Sequence, residues 1–374
     1  MQNNMNKSQL KVCLVAPLPP PFGGIANWTR LVRRYAQMRT DLTLQIVDTA
    51  PRWRAIDDQA LRNRALGGAV QLGRDYVRFL LKMRTCPSLV HLTTSGHLSL
   101  LRDLVFLAKA KRSGIPSIYH LHFGRLPQIA SENKLEWKIL AKAIQMAHTI
   151  IAIDPDTMNM LKQRFPQVRI IRIPNGIDLN ELPLSVTRTT LKTVLFLGWV
   201  IPTKGTKELV QAWARLRMEG WRCVIAGPGS EIYREELRQH FQPENLEFLI
   251  EQTHSDALQL MAASDVFVLP SHSEGFPNVI VEAMILGKPI IATSVGAIPE
   301  MLSGGCGVLV PPHDAEALGK TIREVCSNEV LRKAMGSRAQ LKARTEYAMD
   351  HVFDQLISAW CELANSEGQG KCPQ

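Results

Sequence analysis

Residues 265–286 read DVFVLPSHSEGFPNVIVEAMIL. The first six form an apolar run of strand length, and residues 279–286 follow a helical pattern. Between them lies a Gly-Phe-Pro-Asn turn, whose Asn278 is a residue type that caps helices. The stretch therefore predicts a buried strand, a tight turn and a helix whose N-terminus lies at the end of a parallel sheet.

Two carboxylates stand in this stretch, eight positions apart. Glu274 follows the predicted strand, and Glu282 lies a turn or more inside the predicted helix. Amide groups at a helix N-terminus hold phosphate, and carboxylates accept hydrogen bonds from sugar hydroxyls. The pattern favours a site for an anionic, polyhydroxylated ligand.

Strand-like apolar runs alternate with helical patterns along the whole chain. Continuous Val/Ile/Leu runs, rather than strict alternation, are typical of strands that are covered on both faces. We therefore predict an α/β fold with doubly wound, Rossmann-like parallel sheets. The predicted strands are Lys11–Ala16, Leu42–Val47, Leu89–Leu92, Ser117–Phe123, Thr149–Ile153, Arg169–Ile173, Thr193–Gly198, Arg222–Ala226, Leu246–Ile250, Val266–Leu269, Pro289–Thr293 and Gly307–Val310.

The chain of 374 residues is long for one domain, so two α/β domains are expected. The alternation breaks once, at residues 174–178 and the polar stretch 185–192. We predict an N-terminal domain over 1–180, a C-terminal domain over 181–346, and a terminal helix over 347–364 that crosses back to the first domain. Two such halves would face each other across a cleft.

Composition excludes several classes of protein. Hydrophobic residues make up 45% of the chain, which supports substantial cores, and no apolar run approaches the ~18 residues of a membrane span. The polar N-terminus does not resemble a secretory signal. The seven cysteines include no Cys-x-x-Cys pair, which favours reduced thiols and a cytoplasmic location over a disulfide framework or a zinc site.

Charge is distributed unevenly between the two halves. Residues 1–180 hold 26 Lys and Arg against 11 Asp and Glu, whereas residues 181–374 hold 18 against 23. The densest basic stretch is interleaved with apolar residues, which suits an anionic membrane surface or a solvated helix packed on its own sheet. Nucleic acid is not expected, because no recognition motif is present. The basic residues are Arg52, Arg54, Arg62, Arg64, Arg74, Arg78, Lys82 and Arg84.

Two candidate site segments lie in the first half. Gly23 and Gly24 follow the first strand and open a helix, so the backbone there can approach a ligand closely. A later strand contains His120 and His122, which we expect on opposite faces. His122 is nearer the carboxyl end of that strand, where ligands of open α/β sheets gather, and is the stronger candidate.

Further candidates lie at strand ends of the second half. Gly198 and Trp199 end one strand, and Lys204 precedes a helix, where a lysine is well placed to neutralise phosphate. Gly227 and Gly229 form another strand-to-helix turn that a nucleotide could lie against. A plain turn or a surface lysine would also explain each segment alone. Because all of these candidates stand at strand ends, we expect them to line one cleft.

Together these segments resemble the family-four (group 1) retaining glycosyltransferases, which have the GT-B fold. The resemblance covers nearly the whole chain, and the Glu-x7-Glu element from Glu274 to Glu282 is its most specific part. The other matching segments, in the expected order, are Gly23-Gly24, Pro174-Asn175-Gly176-Ile177-Asp178, Ala226-Gly227-Pro228-Gly229 and Leu286–Thr293.

The resemblance implies a role for each segment. The C-terminal domain would bind a nucleotide sugar and the N-terminal domain an acceptor, with His122 near the reacting sugar and the Gly23-Gly24 loop against the diphosphate. Glu274 would contact the transferred sugar, and Glu282 the ribose hydroxyls. Backbone N–H groups would hold sugar and diphosphate along the donor-binding turn, which comprises Gly275, Phe276, Pro277, Asn278 and Val279.

One position departs from the family. Trp199 stands where the family commonly has an arginine that shares the diphosphate charge with the lysine. Another cation could substitute for it, donor binding could be weaker, or Trp199 could serve for stacking. A sugar-nucleotide-binding protein without catalysis therefore stays open as an alternative.

The implied reaction transfers a sugar from a nucleoside diphosphate sugar to a hydroxyl, with retained anomeric configuration. Lys204, loop amides and the helix N-terminus would stabilise the departing diphosphate, so neither a metal nor a further cofactor is expected. A nucleotide-sugar epimerase of the same architecture is the enzymatic alternative; a retaining glycosidase fits poorly, because Glu282 lies behind Glu274. The expected acceptor is a lipid-linked glycan for a surface polysaccharide, at the inner face of the plasma membrane.

Overall fold

The computed structural model describes residues 9–20, 23–50, 61–96, 99–123, 126–131, 135–183, 190–250 and 252–366, without the side chains of 61–69 and 127–128. The chain divides into two compact units. The N-terminal unit comprises residues 1–176 together with 352–374, and the C-terminal unit comprises residues 177–351.

The N-terminal unit is built on a parallel sheet of six strands in the order β2-β1-β3-β4-β5-β6. Every residue of the central strands β3 and β4 is buried, which is typical of strands covered on both faces. The strands are β1 (Leu10–Ala16), β2 (Leu42–Asp48), β3 (Leu89–Thr94), β4 (Ser117–Leu121), β5 (Thr149–Ala152) and β6 (Arg169–Arg172).

Helices connect these strands, and a last helix returns to the same unit from the C-terminus. Phe79 and Phe106, from two neighbouring helices, stack with centroids 4.6 Å apart in the core. The helices are α1 (Gly24–Gln37), α2 (Leu61–Met83), α3 (Ser99–Arg112), α4 (Leu126–Ser131), α5 (Leu135–Met146), α6 (Pro155–Arg164) and, from the C-terminus, α14 (Met349–Ser366).

The C-terminal unit is a second parallel sheet of six strands, in the order β12-β11-β10-β7-β8-β9. The order reverses between β7 and β10, and in open α/β sheets such a switch point is where ligands bind. The strands are β7 (Lys192–Leu197), β8 (Trp221–Ala226), β9 (Leu246–Leu249), β10 (Val266–Leu269), β11 (Ile290–Thr293) and β12 (Val308–Val310).

Helices again separate consecutive strands of this sheet. Side-chain caps from Thr253, Asp314 and Asn328 begin three of them, each by accepting a hydrogen bond from a first-turn amide. The helices are α7 (Thr206–Leu216), α8 (Glu231–Phe241), α9 (His254–Ala263), α10 (Asn278–Ile285), α11 (Ile298–Met301), α12 (Ala315–Ser327) and α13 (Glu329–Glu346), and a 3₁₀ turn covers Pro202–Lys204.

The predicted fold class is confirmed, and all twelve predicted strands are present with ends that differ by no more than two residues. The cysteine prediction is only partly right. Among the described residues five cysteines are free, whereas Cys86, exposed three positions after α2, is disulfide-bonded. Sequence spacing could not reveal this, because disulfide partners need not be close along the chain.

No helix in the described part of the chain is long and apolar enough to cross a membrane.

Candidate functional site

The carboxyl ends of β7 and β10 bring together the two residues that sequence analysis placed at the centre of the site. The ammonium of Lys204 donates a hydrogen bond of 2.7 Å to Oε1 of Glu274. The hydroxyl of Ser271 donates to the same oxygen at 2.6 Å. Both charged side chains are largely buried, with 26% and 11% of their surfaces exposed. Ser271 is a site residue that sequence analysis missed.

A close backbone contact explains why these two loops meet. Gly205 follows Lys204 with a φ of +68°, and a Cβ there would lie 1.9 Å from the carbonyl oxygen of Pro270. The amide of His272 also donates to the carbonyl of Thr203 at 3.0 Å. Only glycine fits this position, so the β7 and β10 loops touch and their side chains converge.

The turn after Glu274 leads directly into α10. The helix begins at Asn278, and Pro277 is its N-cap residue, which has no side-chain cap. The prediction that Asn278 caps this helix was therefore wrong: its backbone is already helical, and Pro277 holds the extended conformation of a cap. Backbone N–H groups of the first turn, around Asn278 and Val279, lie at the positively polarised end of the helix.

The loop after β11 supports this turn from the other side. The amide of Ala297 donates to the carbonyl of Gly275 at 2.9 Å. A Cβ on Gly296, whose φ is +55°, would lie 2.3 Å from the carbonyl oxygen of Glu274. Phe276 is buried edge-on against Tyr347, with ring centroids 5.7 Å apart. The backbone of the donor-binding turn is thus fixed by packing as well as by hydrogen bonds.

Glu282 lies in α10 with a second carboxylate near it. Burial, and then the charge of Glu181, raise the pKa of Glu282 to about 7. His254 stands between them, with Nδ1 3.9 Å from Glu282 and Nε2 4.0 Å from Glu181. Glu282 can therefore change its protonation state near neutral pH. Sequence analysis did not find Glu181 or His254, because neither is close to Glu282 along the chain.

Two glycine-rich strand ends lie beside this site. Gly198, after β7, has a φ of +155°, and Gly227, after β8, has a φ of +144°. A Cβ on Gly227 would lie 2.0 Å from the carbonyl oxygen of Gly198, and one on Gly229 would lie 2.5 Å from that of Val200. Gly227 and Gly229 are required by the close approach of the two loops, whereas a Cβ on Gly198 would meet the ring of Phe196 at 3.3 Å rather than the other loop. Trp199, between them, is 42% exposed.

Arg234 in α8 is a buried cation that contacts the Gly227 loop, and sequence analysis did not single it out. Its guanidinium donates 2.7 Å and 2.9 Å hydrogen bonds to the carbonyl of Gly227 and the carboxylate of Glu231. These bonds hold the Gly227 loop on α8. Arg234 therefore has a structural role in the fold. Its contacts do not identify it as the cation that replaces the family's arginine at position 199.

The first-half candidates lie in the N-terminal unit. Gly23 immediately precedes α1 and has an extended backbone, and a Cβ there would meet no atom within 4 Å. Gly24 is the first residue of α1. Gly23 itself thus places no side chain over the first turn of α1, and its role in binding stays a prediction.

His120 and His122 lie on the same side of the sheet, so the prediction of opposite faces was wrong. Their ring centroids are 3.8 Å apart, and Trp28 of α1 contacts both rings edge-on. The physical reason is that side chains alternate along a strand, so residues two positions apart share a face.

His122 is held neutral by its surroundings. Burial lowers the pKa of its ring to about 3, and the nearby side chain of Asn175 offsets this only in part. Both ring nitrogens are buried. Neither makes a hydrogen bond of good geometry with a described residue, although the side chain of Asn175 lies close to the ring. A neutral ring with free polar atoms can donate to or accept from a bound hydroxyl.

A hydrogen-bond chain behind His120 fixes the neighbouring rings. The indole N–H of Trp360, in α14, donates to Nδ1 of His91 at 2.8 Å. His91 Nε2 therefore carries the proton and donates to Nδ1 of His120 at 3.3 Å. His120 Nε2 then carries its ring proton and is buried without a partner among the described atoms. Sequence analysis did not find His91 or Trp360.

Comparison with known proteins follows the same division of the chain. The profile described as "Glycosyltransferase Family 4" matches residues 22–181, and the one described as "Glycosyl transferases group 1" matches residues 184–342. The chain belongs to the family-four, group 1 glycosyltransferases. The Lys204–Glu274 pair and Glu282 of this group 1 family member all lie in the second matched region.

Curated relatives of this group 1 family member are similar over part of their length. The capsular polysaccharide biosynthesis glycosyltransferase CapM of Staphylococcus aureus is 26% identical over 245 residues, covering 62% of this chain and 63% of CapM. The D-inositol 3-phosphate glycosyltransferase of Mycolicibacterium smegmatis is 32% identical over 180 residues, covering 46% and 40%. The aligned part thus spans less than two thirds of either relative.

Solved structures similar to this group 1 family member cover nearly all of it. Sucrose-phosphate synthase from Thermosynechococcus elongatus superposes with a TM-score of 0.76 at 16% identity, covering 96% of this chain and all of that one. Anabaena HepE in complex with UDP superposes with a TM-score of 0.72 at 19% identity, covering 95% and 100%. These likenesses confirm the predicted GT-B fold.

Proposed function

We propose that this group 1 family member transfers a sugar from a nucleoside diphosphate sugar to a hydroxyl of a lipid-linked glycan, in the synthesis of a surface polysaccharide. The anomeric configuration would be retained, and no metal would take part in the transfer. The single observation that carries the proposal is the Lys204–Glu274 pair at the switch point of the C-terminal sheet, beside the N-terminus of α10.

The leaving diphosphate would be stabilised by this pair and its surroundings. When the donor enters, the ammonium of Lys204 exchanges part of its contact with Glu274 for a phosphate oxygen. First-turn amides of α10 add further hydrogen bonds to the developing charge. Glu274, held by Ser271, is then available to accept hydrogen bonds from hydroxyls of the transferred sugar.

Glu282 and the glycine-rich loops would bind the nucleoside. The carboxylate of Glu282 can accept hydrogen bonds from both ribose hydroxyls. Because its pKa is raised to about 7, part of it is protonated near neutral pH, and these hydrogen bonds would favour loss of that proton. Gly198, Gly227 and Gly229 leave backbone, rather than side chains, at the loop surface. Trp199, which is partly exposed there, offers an aromatic face for stacking.

The acceptor side would involve the N-terminal unit. His122 is neutral and has free ring nitrogens, so it can hydrogen-bond the reacting sugar without adding charge. The departing phosphate can take the proton of the acceptor hydroxyl on the same face of the sugar, which makes a covalent enzyme intermediate unnecessary. Support for a polysaccharide product comes from the likeness to CapM, and support for a uridine nucleotide from the HepE complexes with UDP and UDP-glucose.

A donor screen followed by a transfer assay tests this function. UDP, GDP, ADP and their sugars would be compared by thermal shift, because a ligand of the folded state raises the melting temperature. The stabilising sugar nucleotide would then be incubated with polyprenyl-linked glycans. We expect labelled sugar in the lipid fraction with its anomeric configuration retained, and full activity in EDTA.

Two outcomes would contradict the proposal. Conversion of the nucleotide sugar to its epimer without any acceptor would identify an epimerase. Donor binding without transfer to any acceptor tested, including a membrane extract, would identify a binding protein.

We also propose that the N-terminal unit docks on an anionic membrane from the cytoplasmic side. Three large apolar side chains of α2, Val70, Val77 and Leu81, are exposed by 74%, 57% and 54%. Their spacing places them on one face of the helix, and the exposed Arg74 and Arg78 lie among them. A lipid surface suits this combination, since each cation near anionic lipid contributes ~1 kcal/mol.

The rest of the basic stretch adds no structural support to this docking. Arg52 and Arg54 lie outside the described residues, and the side chains of Arg62 and Arg64 are not described. Lys82 and Arg84 continue the basic character at the end of α2.

Liposome sedimentation tests the membrane proposal. The wild-type protein should pellet with anionic vesicles at low salt and be released at high salt. The double variant Val77→Asp, Leu81→Asp should bind about tenfold more weakly, because it removes apolar burial. Val330→Asp, at a position on α13 that is 79% exposed, is the control. Equal binding by both variants, or binding that ignores salt, would contradict this docking face.

A further inference from the structure

A second cluster of titratable side chains lies in the C-terminal unit, next to the loops that carry Lys204 and Glu274 but without either of these residues. It consists of Glu208 in the first turn of α7, His272 after β10 and His313 after β12. One ligand atom from each residue lies within 4.8 Å of the other two. Three separate elements of the fold thus bring two imidazoles and a carboxylate to one point.

The distances within the cluster suit one small cation. Nε2 of His272 lies 3.1 Å from Oε1 of Glu208, and Nδ1 of His313 lies 3.9 Å from the same oxygen. Ligand atoms of tetrahedral zinc, at bond lengths of about 2.0–2.2 Å, are separated by ~3.4 Å. The two separations from Glu208 lie on either side of that value, and the third, between the two imidazole nitrogens, is within 4.8 Å.

The carboxylate of Glu208 gives an independent indication that a partner is missing. Its other oxygen, Oε2, is buried and has no hydrogen-bond partner among the described residues. Burying a carboxylate with an unpartnered oxygen is costly, and a cation bound to the carboxylate would offset that cost by neutralising its charge. The two imidazoles also lie side by side, with ring centroids 3.7 Å apart, and offer their nitrogens toward the same carboxylate.

We propose that Glu208, His272 and His313 bind one zinc ion. Two imidazole nitrogens and one carboxylate oxygen are ligands that zinc accepts, whereas magnesium prefers oxygen ligands alone. A water molecule would complete the tetrahedron. This zinc site takes no part in the metal-independent transfer proposed above. The zinc proposal can therefore be tested independently of the proposed transfer.

The ion would have a mechanical consequence for the neighbouring loop. His272 lies two positions before Glu274, and its backbone already bonds the turn that carries Lys204. Zinc would tie this loop to α7 and to the segment after β12. The melting temperature of the protein should therefore rise when zinc binds.

The experiment is a zinc titration of the purified full-length chain, free of any tag, stripped with EDTA and kept reduced. Zinc binding would be followed by competition with a chromophoric chelator, with magnesium as the oxygen-preferring comparison. We expect one zinc ion per chain, an increase in melting temperature, and no competition by equimolar magnesium.

Three substitutions decide whether this cluster is the site. His313→Ala and Glu208→Gln should each weaken zinc binding about tenfold or more. His313 is 64% exposed, so its replacement leaves the fold intact. His240→Ala, which removes an exposed histidine of α8, is the matched control and should bind zinc like wild type.

Opposite results would overturn the proposal. Unchanged zinc affinity in both His313→Ala and Glu208→Gln would show that the ion binds elsewhere. Loss of binding in Cys361→Ser, which removes an exposed free thiol, would point to that cysteine instead. Absence of stoichiometric zinc binding by the wild-type chain would show that the proposed site does not exist.

Discussion

The ammonium of Lys204 lies 2.7 Å from the carboxylate of Glu274, although 70 positions separate the two residues along the chain. The pair is partly shielded from water, so each charge stabilises the other more than it would at the surface. An anionic donor must compete for this lysine. The charge of the lysine is therefore already neutralised by Glu274, and the proposed diphosphate would have to replace part of this contact.

Replacing Lys204 should abolish transfer without unfolding the protein. We expect Lys204→Ala to reduce kcat by about 10²–10³-fold, because one electrostatic contact to the leaving group is lost. Lys207→Ala, an exposed position in the next helical turn, is the control and should keep wild-type activity. Steady-state rates and melting curves would be measured together; wild-type turnover by the Lys204 variant would exclude its assigned role.

Donor affinity should increase as pH rises through neutrality. Burial raises the pKa of Glu282 to about 7, and ribose hydroxyls donate best to its ionised form. Binding therefore favours proton release, so affinity should grow from pH 6 to about pH 7 and then level off. UDP-glucose is a suitable probe for calorimetry, because its diphosphate does not titrate in this range.

Glu282→Gln separates this residue from other titrating groups. The variant should bind UDP-glucose more weakly at pH 8 and lose most of the dependence on pH. It should also be more stable than wild type above pH 7, since ionising a buried carboxyl costs up to about 3 kcal/mol there and nothing below pH 4.5. An unaltered pH profile in the variant would assign the dependence to another group.

Gly205 should tolerate no side chain. A Cβ there would lie 1.9 Å from the carbonyl oxygen of Pro270, so Gly205→Ala should separate the β7 and β10 loops. Gly220→Ala is the matched control, because Gly220 has a similar φ of +73° with open space around it. The control should lose about 1 kcal/mol of unfolding free energy from backbone strain alone, and Gly205→Ala clearly more. Equal losses in urea unfolding would show that the close contact is unimportant.

The buried histidines of the N-terminal unit should stay neutral in mild acid. Burial lowers the pKa of His91 and of His122 to about 3, from 6.5 in the unfolded chain. The folded state therefore binds fewer protons below pH 6.5, and these residues reduce stability as pH falls. Between pH 5 and 8, the histidine NMR signals of both residues should stay constant. Titration of His91 near pH 6.5 would contradict its burial.

The sequence was sufficient to predict the strands of both sheets and the proximity of Lys204 to Glu274. Continuous apolar runs fixed the twelve strands because a strand covered on both faces has no polar side. Lys204 and Glu274 could be placed together because both follow strands of one parallel sheet, whose carboxyl ends meet at one edge. Their roles in binding and catalysis, like those of the other candidate residues, remain predictions.

Other features depended on contacts that no local pattern encodes. Trp360 bonds His91 across 269 positions, and Glu181 lies near Glu282 through a turn outside any strand. The shared face of His120 and His122 could have been predicted, because residues two positions apart in a strand point to the same side of the sheet. The cap of α10 was misplaced because proline and asparagine both suit helix starts, and only the backbone conformation distinguishes them.

The contact between Gly198 and Gly227 has a consequence for redesign of nucleotide preference, because these loops are proposed to bind the nucleoside. A side chain on Gly227 would collide with the carbonyl of Gly198, so the Gly227 loop cannot be exchanged for a bulkier one unless the Gly198 loop changes with it. Grafting a donor preference from another enzyme would require transplanting both strand tips as one unit. A library that diversifies these two positions independently would consist mostly of misfolded proteins.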